Sequence, residues 1–149
     1  GGRHALWLTS LGHEVTAIDR DTSALEEAWR GAGSPTNLRI LQADLEDDPW
    51  PLPGQHFGAV VVVNYLWRAL LPTLFAAIAP GGLLLYETFG VGNERYGRPR
   101  NPDYLLREGE LQAATPSDFE ILECAHGPVG APPTAVRQRL LAKRSHLPG

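Results

Sequence analysis

Gly1-Gly2-Arg3-His4-Ala5-Leu6-Trp7-Leu8, followed past Gly12 by Val15-Thr16-Ala17-Ile18-Asp19, is the stretch that decides the fold. Its front reads as the end of a glycine-rich turn running directly into an apolar helix. Glycines there let backbone N–H groups approach a ligand at the positive end of a helix dipole. The apolar residues Leu6, Trp7, Leu8 and Leu11 recur at helical spacing, and Gly12 offers a left-handed stop. Val15 to Ile18 then form a short apolar run, the pattern of a parallel strand buried on both faces, closed by Asp19. A strand would be expected to feed the glycine turn. With none ahead of Gly1 and no methionine anywhere, the sequence reads as a fragment lacking its first strand.

Downstream, Ser23 and Glu26 have capping-box spacing for a second helix that fades at Gly31, Gly33 and Pro35. A strand is expected from Leu38 to Ala43, ending in Asp44, and then an irregular loop from Glu46 to Gly54, where three prolines remove donors. Phe57 to Val63, with four consecutive valines, is the clearest strand and leads to Asn64. A third helix is expected from near Pro72 to Ala79, terminated by Pro80-Gly81-Gly82 ahead of a strand from Leu83 to Thr88. Strands alternating with helices give a doubly wound, mostly parallel α/β sheet. Phe89 to Arg107 reads as a long loop, of the length that is functional or disordered, with a short helix from Glu108 to Ala114 after it. Phe119 to Cys124 and Ala135 to Lys143 follow without an intervening helix, so this closing pair is expected to be antiparallel. Trp7 and Trp29 are expected to serve in core or interface packing.

Composition narrows the function. The chain has 149 residues, 43% hydrophobic and 20% charged, which suits one domain spanning 1–149. Thirteen basic against seventeen acidic residues, net −4, argue against a nucleic-acid footprint. No apolar run approaches the ~18 residues of a membrane span. A single cysteine, Cys124, and no visible signal peptide favour the cytoplasm. No His or Cys spacing suggests a metal, and neither a Gly-x-Ser-x-Gly elbow nor a phosphate loop with Lys is present.

Ligands of open α/β sheets lie outside the carboxyl ends of the strands, which singles out Gly1, Gly2, Asp19, Asp44 and Asn64. Gly2 to Asp19 is close to the ~20-residue separation between a glycine turn and a carboxylate that accepts from ribose hydroxyls. Gly2-Arg3-His4-Ala5, Val15 to Asp19, Ala43-Asp44-Leu45, Pro80-Gly81-Gly82 and the closing β-pair together resemble a class I S-adenosylmethionine-dependent methyltransferase of Rossmann-like fold. Within that superfamily the chain is similar to the TehB-like (tellurite-resistance) group, whose members also carry an Arg after the last motif glycine and a stretch like Glu108 to Leu111.

The resemblance implies S-adenosyl-L-methionine as cofactor. Gly1 and Gly2 would then meet its methionine portion, Asp19 both ribose hydroxyls, and Asp44 with Leu45 the adenine, while Asn64 and Tyr65 would line the methyl-transfer side and Arg3 and Arg20 are further cofactor-binding candidates. Tyr65, Glu87, Tyr96 and Arg98 would line the site of a small-molecule methyl acceptor, and no catalytic residue is assigned. Such a scaffold mainly aligns an activated donor with its acceptor, so no catalytic triad is required. Two alternatives stay open. One is an NAD(P)-dependent oxidoreductase, with Arg20 meeting a 2′-phosphate, against which Pro80-Gly81-Gly82 and the antiparallel ending speak. The other is a non-catalytic methyltransferase-like remnant, prone to aggregate for want of a central strand whose burial is worth on the order of 10 kcal/mol.

Overall fold

The computed structural model describes residues 2–146, so Gly1 lies outside the described residues. The chain divides into two compact units, Gly1–Pro53 and Gly54–Gly149.

The first unit runs α1 (Gly2–Ser10), β1 (Val15–Asp19), α2 (Ser23–Gly31) and β2 (Leu38–Gln42). Gly12, with φ +91°, ends the first helical segment as its sequence suggests. Beta1 and β2 pair in parallel, Val15 opposite Leu38 and Asp19 opposite Gln42. Asn37 fastens the end of α1 to the start of β2, its Nδ2 donating to Thr9 O at 3.0 Å and to His13 O at 2.9 Å. Three expectations change here. The capping box does not form, because Glu26 N–H donates to Thr22 O (2.8 Å) and Asp21 Oδ1 takes Ser23 N–H (3.0 Å). Residues Val15 to Ile18 are half-buried rather than buried on both faces, since β1 has a hydrogen-bonded neighbour on one side only. Trp7 also points to solvent, 61% exposed, instead of packing in a core.

The second unit contains β3 (Phe57–Val63), α3 (Leu71–Ala76), β4 (Ile78–Phe89), α4 (Glu110–Ala114), β5 (Phe119–Val129) and β6 (Ala135–Arg144). They form a sheet of order β3-β4-β6-β5, with β3 parallel to β4 and the closing pair antiparallel. Alternate residues of β4 and β6 (Leu84, Tyr86, Thr88; Val136, Gln138, Leu140, Ala142) are buried, as are Leu71, Leu74 and Phe75 of α3 and Leu111 of α4. Phe75 meets Phe119 edge-on at 5.1 Å. Burying that face at roughly 1.5–3 kcal/mol per large apolar side chain holds the unit together.

Pro80-Gly81-Gly82 does not end a helix. Alpha3 stops at Ala76, and the three residues lie inside β4 as a bulge, where the register passes from Phe57–Ile78 to Ala59–Leu83. Gly81 takes φ +79°, and a Cβ on Gly82 would sit 2.8 Å from Ile78 Cγ2 and 2.9 Å from Ala79 O. The glycines thus admit an excursion within a strand. Strand pairing begins earlier than sequence suggests because Phe57 N–H donates to Ala77 O at 2.8 Å.

The long segment after β4 is tethered at both ends. Leu106 N–H donates to Phe89 O (3.0 Å) and Val91 N–H to Leu106 O (2.9 Å), so residues 90 and 106 lie side by side. Two 3-10 turns, Asn93–Arg95 and Pro102–Tyr104, shape the span between them.

Candidate functional site

In the first unit, the carboxyl ends of adjacent parallel strands carry Asp19 and, two residues beyond β2, Asp44. Asp19 is exposed. One of its oxygens accepts Asp21 N–H at 3.3 Å, and the other has no partner among the described residues. The Asp19 carbonyl accepts Ala43 N–H at 3.0 Å, and the Arg20 carbonyl accepts from Gln42 Nε2 at 3.1 Å, fixing both strand ends. Asp21 beyond them is held ionised, its carboxyl lowered by hydrogen bonds from the Ser23 backbone and side chain. Asp44 is partly committed to its own turn: Oδ1 accepts Glu46 N–H (3.0 Å) while Asp44 N–H donates to Asp48 (2.9 Å). Leu45 is half-buried beside it. Gly2 heads α1 and Arg3 is exposed one residue on. At the end of β1 the Asp19 carboxylate thus keeps one oxygen able to accept from hydroxyl or amide donors.

In the second unit the carboxyl ends of β3 and β4 bring Asn64 and Glu87 to the same edge. Asn64 has φ +57°, a left-handed conformation that Asn tolerates well, and its N–H donates to Glu87 O at 3.0 Å. Arg137 of β6 joins them. Its Nη2 donates to Asn64 Oδ1 at 2.6 Å and lies 3.3 Å from Glu87 Oε2, with the guanidinium 4.8 Å from the Phe89 ring centroid. Sequence reading missed Arg137, because only the β4–β6 register sets it opposite Phe89. The alternation Val136-Arg137-Gln138-Arg139-Leu140 was the available signal, marking a strand with two arginines on one face.

Tyr65 is half-buried, and its carbonyl accepts the Tyr86 hydroxyl at 2.6 Å. Burial pushes the Tyr86 phenol well above the ordinary tyrosine range, with Tyr65 adding to the shift. Tyr96 is 42% exposed at the end of the first 3-10 turn. Arg98 lines an open cleft of about 680 Å³ with Pro99, Arg100, Asn101 and Tyr104. No hydrogen bond or ion pair among the described residues joins Tyr96 or Arg98 to Asn64 or Glu87, so the structure groups Asn64 with Glu87 and leaves Tyr96 and Arg98 on the tethered segment.

Two polar anchors hold that segment. Arg68 grips Glu110 through Nε (2.6 Å) and Nη2 (3.0 Å), and donates to Asp103 O (3.2 Å) and Leu105 O (2.7 Å). Burial alone would raise the Glu110 carboxyl, but hydrogen bonds from the Arg68 side chain and Arg107 N–H outweigh it and hold the group below the usual range. The Glu110 hydrogen bond in turn raises Arg68. The fully buried Gln138 is the second anchor. Its Oε1 accepts Leu111 N–H (2.9 Å) while Nε2 donates to Arg107 O (2.7 Å) and to His126 Nδ1 (2.9 Å). These partners leave His126 Nε2–H to donate to Val91 O at 3.1 Å.

A family model described as a methyltransferase domain matches residues 1–82. The chain belongs to that methyltransferase family. No curated protein matches it. Solved structures similar to this methyltransferase chain include TehB from Haemophilus influenzae, at 18% identity and TM-score 0.74 over 97% of this chain and 54% of that one. An S-adenosylmethionine-dependent methyltransferase from Mesorhizobium loti gives 19% identity and TM-score 0.69, covering 95% and 85% of the two chains. The 1,6-didemethyltoxoflavin-N1-methyltransferase of Burkholderia thailandensis, solved with 1,6-didemethyltoxoflavin and S-adenosylhomocysteine bound, gives 16% and 0.66, covering 97% and 67%. The methyltransferase chain thus spans about half the length of TehB. At these identities the likeness concerns the fold, a Rossmann-like α/β arrangement. Among the described residues no helix is long and apolar enough to cross a membrane.

Proposed function

We propose that the chain is a single methyltransferase domain that binds S-adenosyl-L-methionine and transfers its methyl group to a small-molecule acceptor in the cytoplasm. The observation that carries this reading is the open Asp19 carboxylate at the carboxyl end of β1, inside the segment that the family model matches. Asp19 receives the ribose hydroxyls, and Arg20 follows it at the cofactor edge. Asp44 and Leu45 take the adenine. Gly2 and Arg3 border the methionine portion, and Asn64 the transferred methyl. Glu87 and Tyr65 face the acceptor, with Tyr96 and Arg98 contributed by the segment after β4.

When bound, the cofactor supplies an activated methyl sulfonium, so the protein's work is alignment and exclusion of water. Asn64 serves this through its fixed backbone, and Glu87 offers a carboxylate to any acceptor proton that must be held or removed. The test is calorimetric titration of the full chain with S-adenosylhomocysteine and, separately, with NADH. Binding of the former is expected, weakened about 10-fold or more in Asp19→Ala through loss of charge-assisted ribose bonds. Binding of NADH alone would replace this reading with the oxidoreductase.

A further inference from the structure

We infer that Arg137 is the acceptor's anchor, and that the methyl acceptor carries a carboxylate or comparable oxygen anion which the Arg137 guanidinium binds with the Asn64 side-chain amide. This rests on the methyltransferase reading and goes beyond it by naming the substrate class. The argument is an inventory of donors. A guanidinium has five N–H groups, all donors. Arg137 directs Nη2 at Asn64 Oδ1 and Glu87 Oε2, while its Nε and Nη1 hydrogens meet no partner among the described residues. Because Asn64 Oδ1 faces Arg137, the Asn64 Nδ2 group is turned away from the guanidinium and is likewise unpartnered. Against these donors the cluster leaves only the second oxygen of Glu87 as a free acceptor.

The surroundings raise the value of the unused donors. The Arg137 side chain is only 16% exposed and lies against the Phe89 ring, so its charge is less screened than that of an arginine in open solvent. Glu87 meets the guanidinium through one oxygen, Oε2 at 3.3 Å, while Arg139 directly across from it on β6 pairs with Glu123 at 3.5 Å. The cluster sits at the carboxyl edge of β3 and β4, where open α/β sheets receive ligands. A residue whose only task was to staple β4 to β6 would have little reason to keep most of its donors unspent at that edge.

The experiment uses full-length chain with S-adenosylhomocysteine present or absent, titrated with acetate and with its neutral isostere acetamide at matched ionic strength. The readouts are the arginine Nε–H and asparagine Nδ2 resonances in nitrogen-15 correlation spectra. Acetate is expected to move the Arg137 and Asn64 signals at a concentration about 10-fold below that needed for the exposed Arg98 and Arg100, and acetamide to leave them in place. Arg137→Gln should abolish the preference for acetate, Arg137→Lys should keep part of it, and both should bind S-adenosylhomocysteine within about twofold of the parent. Equal responses to acetate and acetamide, no response of Arg137, or an unchanged acetate response of Asn64 in Arg137→Gln would each overturn the inference. If Arg137→Gln fails to fold, the parent spectra alone still decide. Failure to bind S-adenosylhomocysteine would instead sink the methyltransferase reading, while the acetate titration without it continues to report on Arg137.

Discussion

Removing the charge of Glu110 should loosen the segment after β4 in a way that pH can mimic. In the structure the Glu110 side chain, 11% exposed, takes two bonds from Arg68 and one from Arg107 N–H. Charge-assisted hydrogen bonds contribute roughly 1.5–3 kcal/mol, and because the Arg68 side chain is 35% exposed, screening brings the expected Arg68–Glu110 coupling to about 1.5 kcal/mol. The assay is a double-mutant cycle of Glu110→Gln and Arg68→Met, followed by urea unfolding and by exchange of the Arg107 amide. Each single variant should lower the melting temperature by about 3–6 °C and speed that exchange. The pH dependence has a definite sign. Since the folded state lowers the Glu110 carboxyl, its contribution is complete above the unfolded value of about 4.3 and disappears as pH falls through the lower folded value. Coupling below about 0.3 kcal/mol at neutral pH, or coupling that survives acidification to about pH 2, would refute the reasoning.

Gln138→Leu should cost about 3 kcal/mol or more, because it strands the Leu111 N–H and the Arg107 carbonyl where the amide satisfied both; chemical denaturation measures the loss. Gly90→Ala would place a methyl 2.4 Å from His126 Cε1 and drive the ring off Val91 O, at a cost of about 1–3 kcal/mol seen as a lower unfolding midpoint. Trp7→Ser, by contrast, should change stability by no more than about 0.5 kcal/mol, since the indole is largely in solvent; a larger drop in the same assay would mean that it packs against something.

Local sequence carried much of the fold. The strand of consecutive valines, the helix from Ser23 to Gly31 and the antiparallel closing pair all follow from residue pattern over a few turns or a few alternations. What failed depended on pairing between distant segments. Pro80-Gly81-Gly82 looks like a terminator in isolation but lies within β4 as a bulge, flanked by the Phe57–Ala77 hydrogen bond and the Ala59–Leu83 pair. The same holds at the candidate site. Asp19 and Asn64 stand out as strand-end residues, whereas Arg137 reaches Asn64 across 73 positions of sequence and only after β6 has aligned beside β4. Gln138 was invisible for a related reason, as its partners lie on three different segments.

The pinned neck of the excursion between Gly90 and Leu106 separates the length of the intervening chain from the integrity of the sheet beneath. With both ends fastened, extra residues at the tip cost only loop-closure entropy, about 0.6 kcal/mol for each doubling of length. Such an arrangement allows the intervening chain to be rewritten by insertion or exchange while the supporting strands stay as they are. Sequence change within that excursion is therefore uncoupled from the strength of the sheet that carries it.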